Sequence, residues 1–401
     1  MLAGVSVARL DAPVPRGVWA GVVGQEPLVE TLTPAVDGAR AWVAGRRDAA
    51  MTHAWLFTGP PGSGRSVAAR AFTAALQCDG AGCGDCAQCR EVLAGSHPDV
   101  TVVDTSGLSI GVDDVRDLVL RSAMAPTRGR WTVMIVEDAD RLTDPAADAM
   151  LKSLEEPAPH TVWLLCAPTA EDVLATIRSR CRHVWLRTPP AVAVAALLER
   201  SGVDVGLAAF AARASQGHIG RARALARDEG ARTRRRQVME LPARLRDPGD
   251  CLRAAANLHE AATEDAASTA GPLEQRELGG HRDQWGTGTR GIKVRGEQGA
   301  LAELKRSHKA RRTRLVRDAV DRALLDLLSY YRDALSLQLG STGQLVNEEE
   351  RGALEELARR TDPTATLRRA EAVLACRVAM DEHNVAPLLA LEQALLRLHS
   401  A

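Results

Sequence analysis

The sequence predicts an α/β phosphate-loop domain with an inserted zinc module, followed by a small helical domain and an all-α C-terminal domain. Three observations predict it. Short β-type runs alternate with helical patterns from about Val18 to Leu186, the order of a parallel sheet covered by helices. A glycine-rich loop, Gly59-Pro60-Pro61-Gly62-Ser63-Gly64-Arg65-Ser66, stands between one such run and a helical pattern. Beyond Pro189-Pro190 the alternation stops and Ala- and Leu-rich helical spacing takes over.

In chain order, the clearest strands are His53–Thr58, Val100–Asp104, Trp131–Val136 and Thr161–Ala167, and residues 1–188 are expected to form the first domain. Ala191–Glu199 and Val205–Ser215 have helical spacing and place a small helical domain at 189–240. The remainder, 241–401, reads as helical except for about Ala267–Gly299, which is rich in glycine and polar residues without apolar periodicity and is expected to be a mobile insertion. After it, seven basic residues crowd Lys305–Arg317, either a solvated helix face or a contact for nucleic acid or a partner. Ala319–Leu339, Glu348–Arg360, Thr366–Met380 and Pro387–Leu398 carry leucines at three- and four-residue spacing, as helices packed on one another or on other subunits do.

Composition narrows the function. At 401 residues the chain is too long for one ordinary core, and its apolar fraction of 45% is ample for two or three. With 51 basic and 51 acidic groups the molecule as a whole does not attract nucleic acid, so any such contact is local. Three Phe, two Tyr and seven Trp are few for a platform that stacks single-stranded bases. No signal-peptide pattern and no membrane-length apolar run are seen, which leads to the expectation of a cytoplasmic protein.

The loop's glycines let successive N–H groups surround phosphate oxygens at a helix N-terminus. Gly59, Gly62, Gly64 and Ser66 fit that frame, but Arg65 stands where a compact lysine is expected to reach the β- and γ-phosphates. Val133–Val136 lead to Glu137-Asp138, the two acids of a magnesium and water-activating pair in reversed order. Such a swap moves each carboxylate by about a bond length, enough to cost catalysis heavily. Two readings stay open, ATP bound with poor turnover or no ATP binding.

Cys78, Cys83, Cys86 and Cys89 stand at the spacing C-x4-C-x2-C-x2-C. Four thiolates that converge fill a tetrahedral Zn²⁺ shell, which makes the metal structural. An iron–sulfur cluster and unligated cysteines remain alternatives. Cys166, Cys181, Cys251 and Cys376 are scattered and read as inert.

A phosphate-loop domain with a four-cysteine module after the loop helix, ending in Ser179-Arg180-Cys181, resembles the clamp-loader subunits of bacterial DNA polymerase III, in the clamp-loader clade of AAA+ proteins. The resemblance extends to Val22-Val23-Gly24-Gln25-Glu26, Ala94-Gly95-Ser96-His97-Pro98-Asp99, Leu151-Lys152-Ser153-Leu154-Glu155-Glu156-Pro157 and the late Asn384-Val385-Ala386-Pro387-Leu388-Leu389-Ala390-Leu391-Glu392. The cysteine spacing is tighter than is usual there, with four residues between Cys78 and Cys83.

Within the family the choice lies between the ATP-hydrolysing motor, tau or gamma, and delta-prime. Besides Arg65 and Glu137-Asp138, the polar γ-phosphate sensor of the motor is replaced by Ala167-Pro168, and Gly220 holds the sensor-arginine position of Gly217-His218-Ile219-Gly220-Arg221-Ala222. These departures favour delta-prime. The resemblance then implies an AAA+ domain, a lid and a helical collar. It implies a subunit with little or no ATPase activity that completes a pentamer with tau/gamma and delta, and that acts on the sliding clamp and primed DNA through the assembly. Arg180, in its intact motif, is implied to serve a neighbour's ATP site as an arginine finger. Two alternatives are the motor itself and a stand-alone zinc-containing nucleic-acid binder.

Overall fold

The computed structural model describes residues 16–46, 50–103, 109–285 and 297–400. The chain divides into two compact units, between Ala222 and Arg223.

After a 3-10 turn at Gly17–Gly21, the first unit runs through helix α1 (Glu26–Val43), β1 (Ala54–Thr58), α2 (Arg65–Gln77), α3 (Ala87–Ala94), β2 (Val100–Val103), α4 (Val112–Ser122), β3 (Thr132–Val136), α5 (Asp144–Glu155), β4 (Thr161–Ala167), the short α6 (Ala175–Arg178) and β5 (Arg182–Trp185). Helices α7 (Ala191–Arg200) and α8 (Val205–Ala214) follow, and α9 (Ile219–Arg227) runs across the division. The five strands are parallel in the order β2-β3-β4-β1-β5. Every residue of β1, β3 and β4 is buried, as expected of parallel strands covered on both faces.

Alternation along each strand feeds two cores. Trp55 and Phe57 pack with Phe72 of α2 and Leu32 of α1 on one face, with the Trp55 and Phe72 rings edge to face at 5.2 Å. Leu56, Met134 and Trp163 meet Leu118 of α4 and Met150 of α5 on the other. The strand predictions hold to within a residue where described; Asp104 lies outside the described residues. The fifth strand escaped prediction because Arg182 and His183 give it no apolar run, and only Val184 is buried. It is a short, polar edge.

The second unit is all helical: α10 (Glu229–Met239), α11 (Leu241–Arg244), α12 (Pro248–Trp285), α13 (Glu297–Gln338), α14 (Arg351–Arg360), α15 (Pro363–Asp381) and α16 (Pro387–Ser400). Leu324, Leu327 and Tyr331 of α13 pack with Val373 of α15 and with Leu391 and Leu395 of α16. Inside this core Arg235 of α10 pairs with Asp326 at 3.3 Å and bonds to Asn347, whose backbone and side-chain N–H groups donate to Asp333 at 2.7 and 2.9 Å. All four residues are buried. Removing one partner from such a network strands a charge in the interior.

The expectation that helix breaks off from Ala267 to Gly299 is corrected. Helix α12 continues to Trp285 and α13 begins at Glu297; residues 286–296 lie outside the described set. The apolar periodicity is weak because this hairpin is held by charges. Glu274 bonds to Arg312 at 3.0 and 3.1 Å, and Glu277 bonds to Arg311 at 2.8 and 2.9 Å and to His308 at 2.8 Å. Glu274 and His308 are buried, so residues that read as solvent-facing form an antiparallel seam.

The basic run Lys305–Arg317 is thereby largely spoken for. Arg306 pairs with Glu303, Arg311 and Arg312 with α12, Arg314 with Asp318, and Arg317 donates to the Met380 carbonyl and to Asn384. Lys305 and Lys309 stay exposed. Among the described residues, no helix is long and apolar enough to cross a membrane.

Candidate functional site

The phosphate loop joins the C-terminal end of β1 to the first residue of α2, which is Arg65. Gly62 and Gly64 take φ of 80° and 96°, a left-handed geometry that costs other residues strain. Gly62 is also sterically required: a Cβ there would sit 2.2 Å from the ring of His218. The Ile219 N–H donates to the Gly62 carbonyl at 3.2 Å. The segment Gly217–Ile219 therefore lies directly on the loop.

Other bonds fix the loop from below. The buried Gln25 side chain donates to the carbonyls of Ser63 and Arg187 at 3.3 and 2.6 Å and accepts from the Arg187 N–H at 3.0 Å. Gly59 N–H donates to the Pro168 carbonyl at 3.1 Å, so the apolar Ala167-Pro168 serves the loop's backbone. Ser63 Oγ is buried without a hydrogen-bond partner among the described residues, and Ser66 is half-buried at the start of α2.

The charged groups of this site are turned to internal partners. Arg65 Nη1 donates to the Gly59 carbonyl at 3.0 Å, folding the guanidinium back onto the loop. Glu137, one residue beyond β3, accepts from Nε and Nη2 of Arg70 on α2 at 3.1 and 2.8 Å. Glu137 and Asp138 follow a strand two positions from β1 in the sheet, about 10 Å away at ordinary strand spacing. The topology thus brings them to the loop's end of the sheet. Near them, burial pushes the Asp140 carboxyl up, and Asp138 adds to the effect. Gly220, at the sensor position, faces only the His218 ring, 3.3 Å from where a Cβ would stand.

The four cysteines converge. Cys78 follows the last residue of α2, Cys86 caps α3 by accepting from the Cys89 N–H at 3.4 Å, and all four sulfurs lie within 4.8 Å of one another. Left-handed Ala81, Gly82 and Gly84 turn the chain between them, and Gly80 and Cys83 N–H groups donate to Cys78 Sγ at 3.2 and 3.4 Å. This donor set can hold a metal ion. Burial opposes ionisation of Cys78, but the Cys83 and Gly82 N–H groups and neighbouring thiols outweigh it and bring the thiol down to about 6. Cys166 and Cys181 lie apart from the cluster, and burial raises both.

Arg180 lies between α6 and β5. Two residues later Arg182 pairs with Trp55, near the start of β1; the phosphate loop begins four residues beyond Trp55, at the other end of the strand. Four residues of strand span about 13 Å, so Arg180 and the chain's own phosphate loop occupy opposite ends of the sheet. Its Nε donates to Glu155 at 2.8 Å and its Nη1 to the Thr176 carbonyl at 2.6 Å, and a third of the side chain is exposed.

Residues beyond the expected set also shape these sites. In the sequence His218 is one member of a motif, and its contact with Gly62 reveals it as a cover for the loop. Arg70 gave no signal, because its partner Glu137 is 67 residues away. Asp99 organises the segment after α4: it accepts from the N–H groups of Thr127, Arg128 and Gly129 at 2.6, 2.8 and 2.6 Å and from the Thr127 hydroxyl at 2.7 Å.

A parallel five-stranded core with a glycine-rich loop, a cysteine knuckle after the loop helix and a helical unit in the same chain fits a fold of the AAA+ type. Two family models match the chain: DNA polymerase III, delta subunit, over residues 39–190, and DNA polymerase III, delta subunit, C terminal, over residues 315–400. The DNA polymerase III subunit gamma/tau of Mycobacterium tuberculosis is 35% identical over 187 residues, 45% of this chain and 31% of that protein. The subunit delta' of Pseudomonas aeruginosa is 37% identical over 158 residues, 38% of this chain and 48% of that protein. The delta' of Haemophilus influenzae is 39% identical over 142 residues, 34% and 43% of the two chains. The chain spans less than half the length of these relatives. It belongs to the family of DNA polymerase III clamp-loader subunits.

Proposed function

We propose that the chain is the delta-prime type of clamp-loader subunit, which gives an arginine to an adjacent motor subunit's ATP site and turns over little or no ATP at its own. The observation that carries this reading is the separation of Arg180 from the chain's phosphate loop by the length of β1. An arginine at that end of the sheet is aimed away from its own nucleotide site and toward whatever subunit docks there. The loop's chemistry agrees: Arg65 is bonded to Gly59, Glu137 to Arg70, and His218 lies over Gly62. In this reading the tau/gamma and delta subunits are its partners, and the sliding clamp and primed DNA are engaged through the assembly.

The cysteine cluster is read as a structural zinc site. Zn–S bonds of about 2.3 Å set thiolates of a tetrahedral shell about 3.8 Å apart, and Cys78 Sγ lies 3.6 Å from Cys83 Sγ and 3.8 Å from Cys86 Sγ. Four protein thiolates leave no open position, so the metal would stabilise the fold and supply no chemistry.

Reconstitution with motor and delta subunits tests the proposal. Arg180→Ala is expected to leave assembly intact and lower the loader's ATPase, and an unchanged rate would remove the finger role. The identity with gamma/tau over 187 residues favours a second reading, the motor itself. Robust ATP turnover by the purified chain would decide for it.

A further inference from the structure

The hairpin of α12 and α13 contains a cleft of about 620 Å³, within the range of ligand sites. Its floor is apolar, formed by Leu278, Val316 and Pro387. Lys305, Lys309 and Arg312 line one side at positions i, i+4 and i+7 of α13, one face of the helix. His259 and Thr263 line it from α12, with His308 and Thr313 from α13.

The charge balance of the cleft is uneven. Glu274 is the acidic residue that lines it, and Arg312 neutralises that carboxylate by direct hydrogen bonds. Lys305 and Lys309 have no acceptor among the described residues, and both are exposed. The cleft is held in shape without them, since Glu277 is bonded to Arg311 and His308. Its polar groups, residues 259 to 313, all lie outside the two family-model matches at 39–190 and 315–400.

We propose that this cleft binds a phosphate-bearing polyanion, with Lys305 and Lys309 as its cationic contacts. Two ammonium groups one helical turn apart, flanked by hydroxyl and imidazole groups, suit adjacent phosphates better than a single carboxylate. The same chemistry is offered by a nucleic-acid backbone and by free polyphosphate. Among the described residues no Phe, Tyr or Trp lines the cleft, so a nucleic acid would be held chiefly by its backbone and not by a platform of stacked bases.

The test titrates the full chain with sodium tripolyphosphate by calorimetry and then competes it with an oligo-dT strand of about 20 nucleotides. Binding is expected, and the doubly substituted Lys305→Gln, Lys309→Gln variant should weaken it roughly tenfold or more as two charge-assisted contacts are lost. Circular dichroism of the variant, both changes being on exposed residues, checks that it folds. Displacement by the strand identifies a nucleic-acid backbone, and the salt slope of strand binding then falls by about 1.4 in the variant. Failure of the strand to displace identifies free polyphosphate. Affinity unchanged in the double variant, no tripolyphosphate binding at millimolar concentration, or a loss found only in Arg65→Ala would overturn the proposal. That last result would move the anion to the phosphate loop.

Discussion

Replacing Asp99 by Asn removes the charge that gathers the segment after α4. In the folded chain the carboxylate accepts four hydrogen bonds, three of them from successive N–H groups of Thr127, Arg128 and Gly129. Burial alone would raise this carboxyl, but these donors outweigh it and bring it down to about 2 from an ordinary 3.8. The gap is worth about 2 kcal/mol at neutral pH. Because the folded-state value is depressed, the stabilisation is full above about pH 5 and fades as pH falls through 3.8 toward 2. Asp99→Asn should therefore cost about 2 kcal/mol at pH 7, and about 1 kcal/mol less at pH 3. Urea unfolding followed by tryptophan fluorescence reads the right unit, since Trp19, Trp42, Trp55, Trp131, Trp163 and Trp185 all lie in it and only Trp285 lies in the other. A variant as stable as the parent at pH 7, or a deficit that stays the same at both pH values, would refute the reasoning.

Three other outcomes follow from the same structure. Cys86→Ser should lower bound metal and destabilise the first unit, because a structural site contributes folding free energy; metal content by elemental analysis, undiminished in the variant, would remove Cys86 from the ligand set. Gly62→Ala should cost about 1–3 kcal/mol or more, since it combines a left-handed φ with a collision against His218; a wild-type urea midpoint would show that His218 does not lie on the loop. Arg235→Ala should destabilise the second unit by about 3–5 kcal/mol, removing the buried cation that pairs with Asp326 and the donor to the Asn347 side-chain oxygen. Hydrogen exchange of α13 amides at the parental rate would contradict that.

What could be read in the sequence was local. The loop, the acid pair, the cysteine spacing and four strands are runs of neighbouring residues whose chemistry is complete within a few positions. What could not be read depends on distant partners. β5 is polar and is a strand only because β1 lies beside it. The hairpin from Ala267 onward looks structureless until Glu274 and Glu277 are set against Arg312 and Arg311. The basic run was legible as charge, but which of its members are already paired was not. Likewise the sequence shows that Arg65 and Glu137 depart from pattern, and the fold supplies what they do instead, bonding Gly59 and Arg70.

The pairing of Arg180 with Glu155 shows how the two halves of the account meet. Both side chains are partly exposed, at 34% and 48%, and exposed ion pairs of this kind hold weakly. Arg180 can therefore leave Glu155 at small cost, as the proposed finger role requires, while Arg65 and Glu137 are bonded to Gly59 and Arg70 within their own site.

The most direct measurement compares Arg180→Ala with Arg65→Ala in a loader reconstituted with motor and delta subunits, reading clamp- and DNA-stimulated ATP turnover. Arginine fingers contribute about 10³-fold or more at the site they serve. Arg180→Ala should abolish turnover at the adjacent motor site, seen as a fall in the total rate, and Arg65→Ala should leave the rate unchanged. The reverse pattern, with Arg65 needed and Arg180 dispensable, would contradict the account.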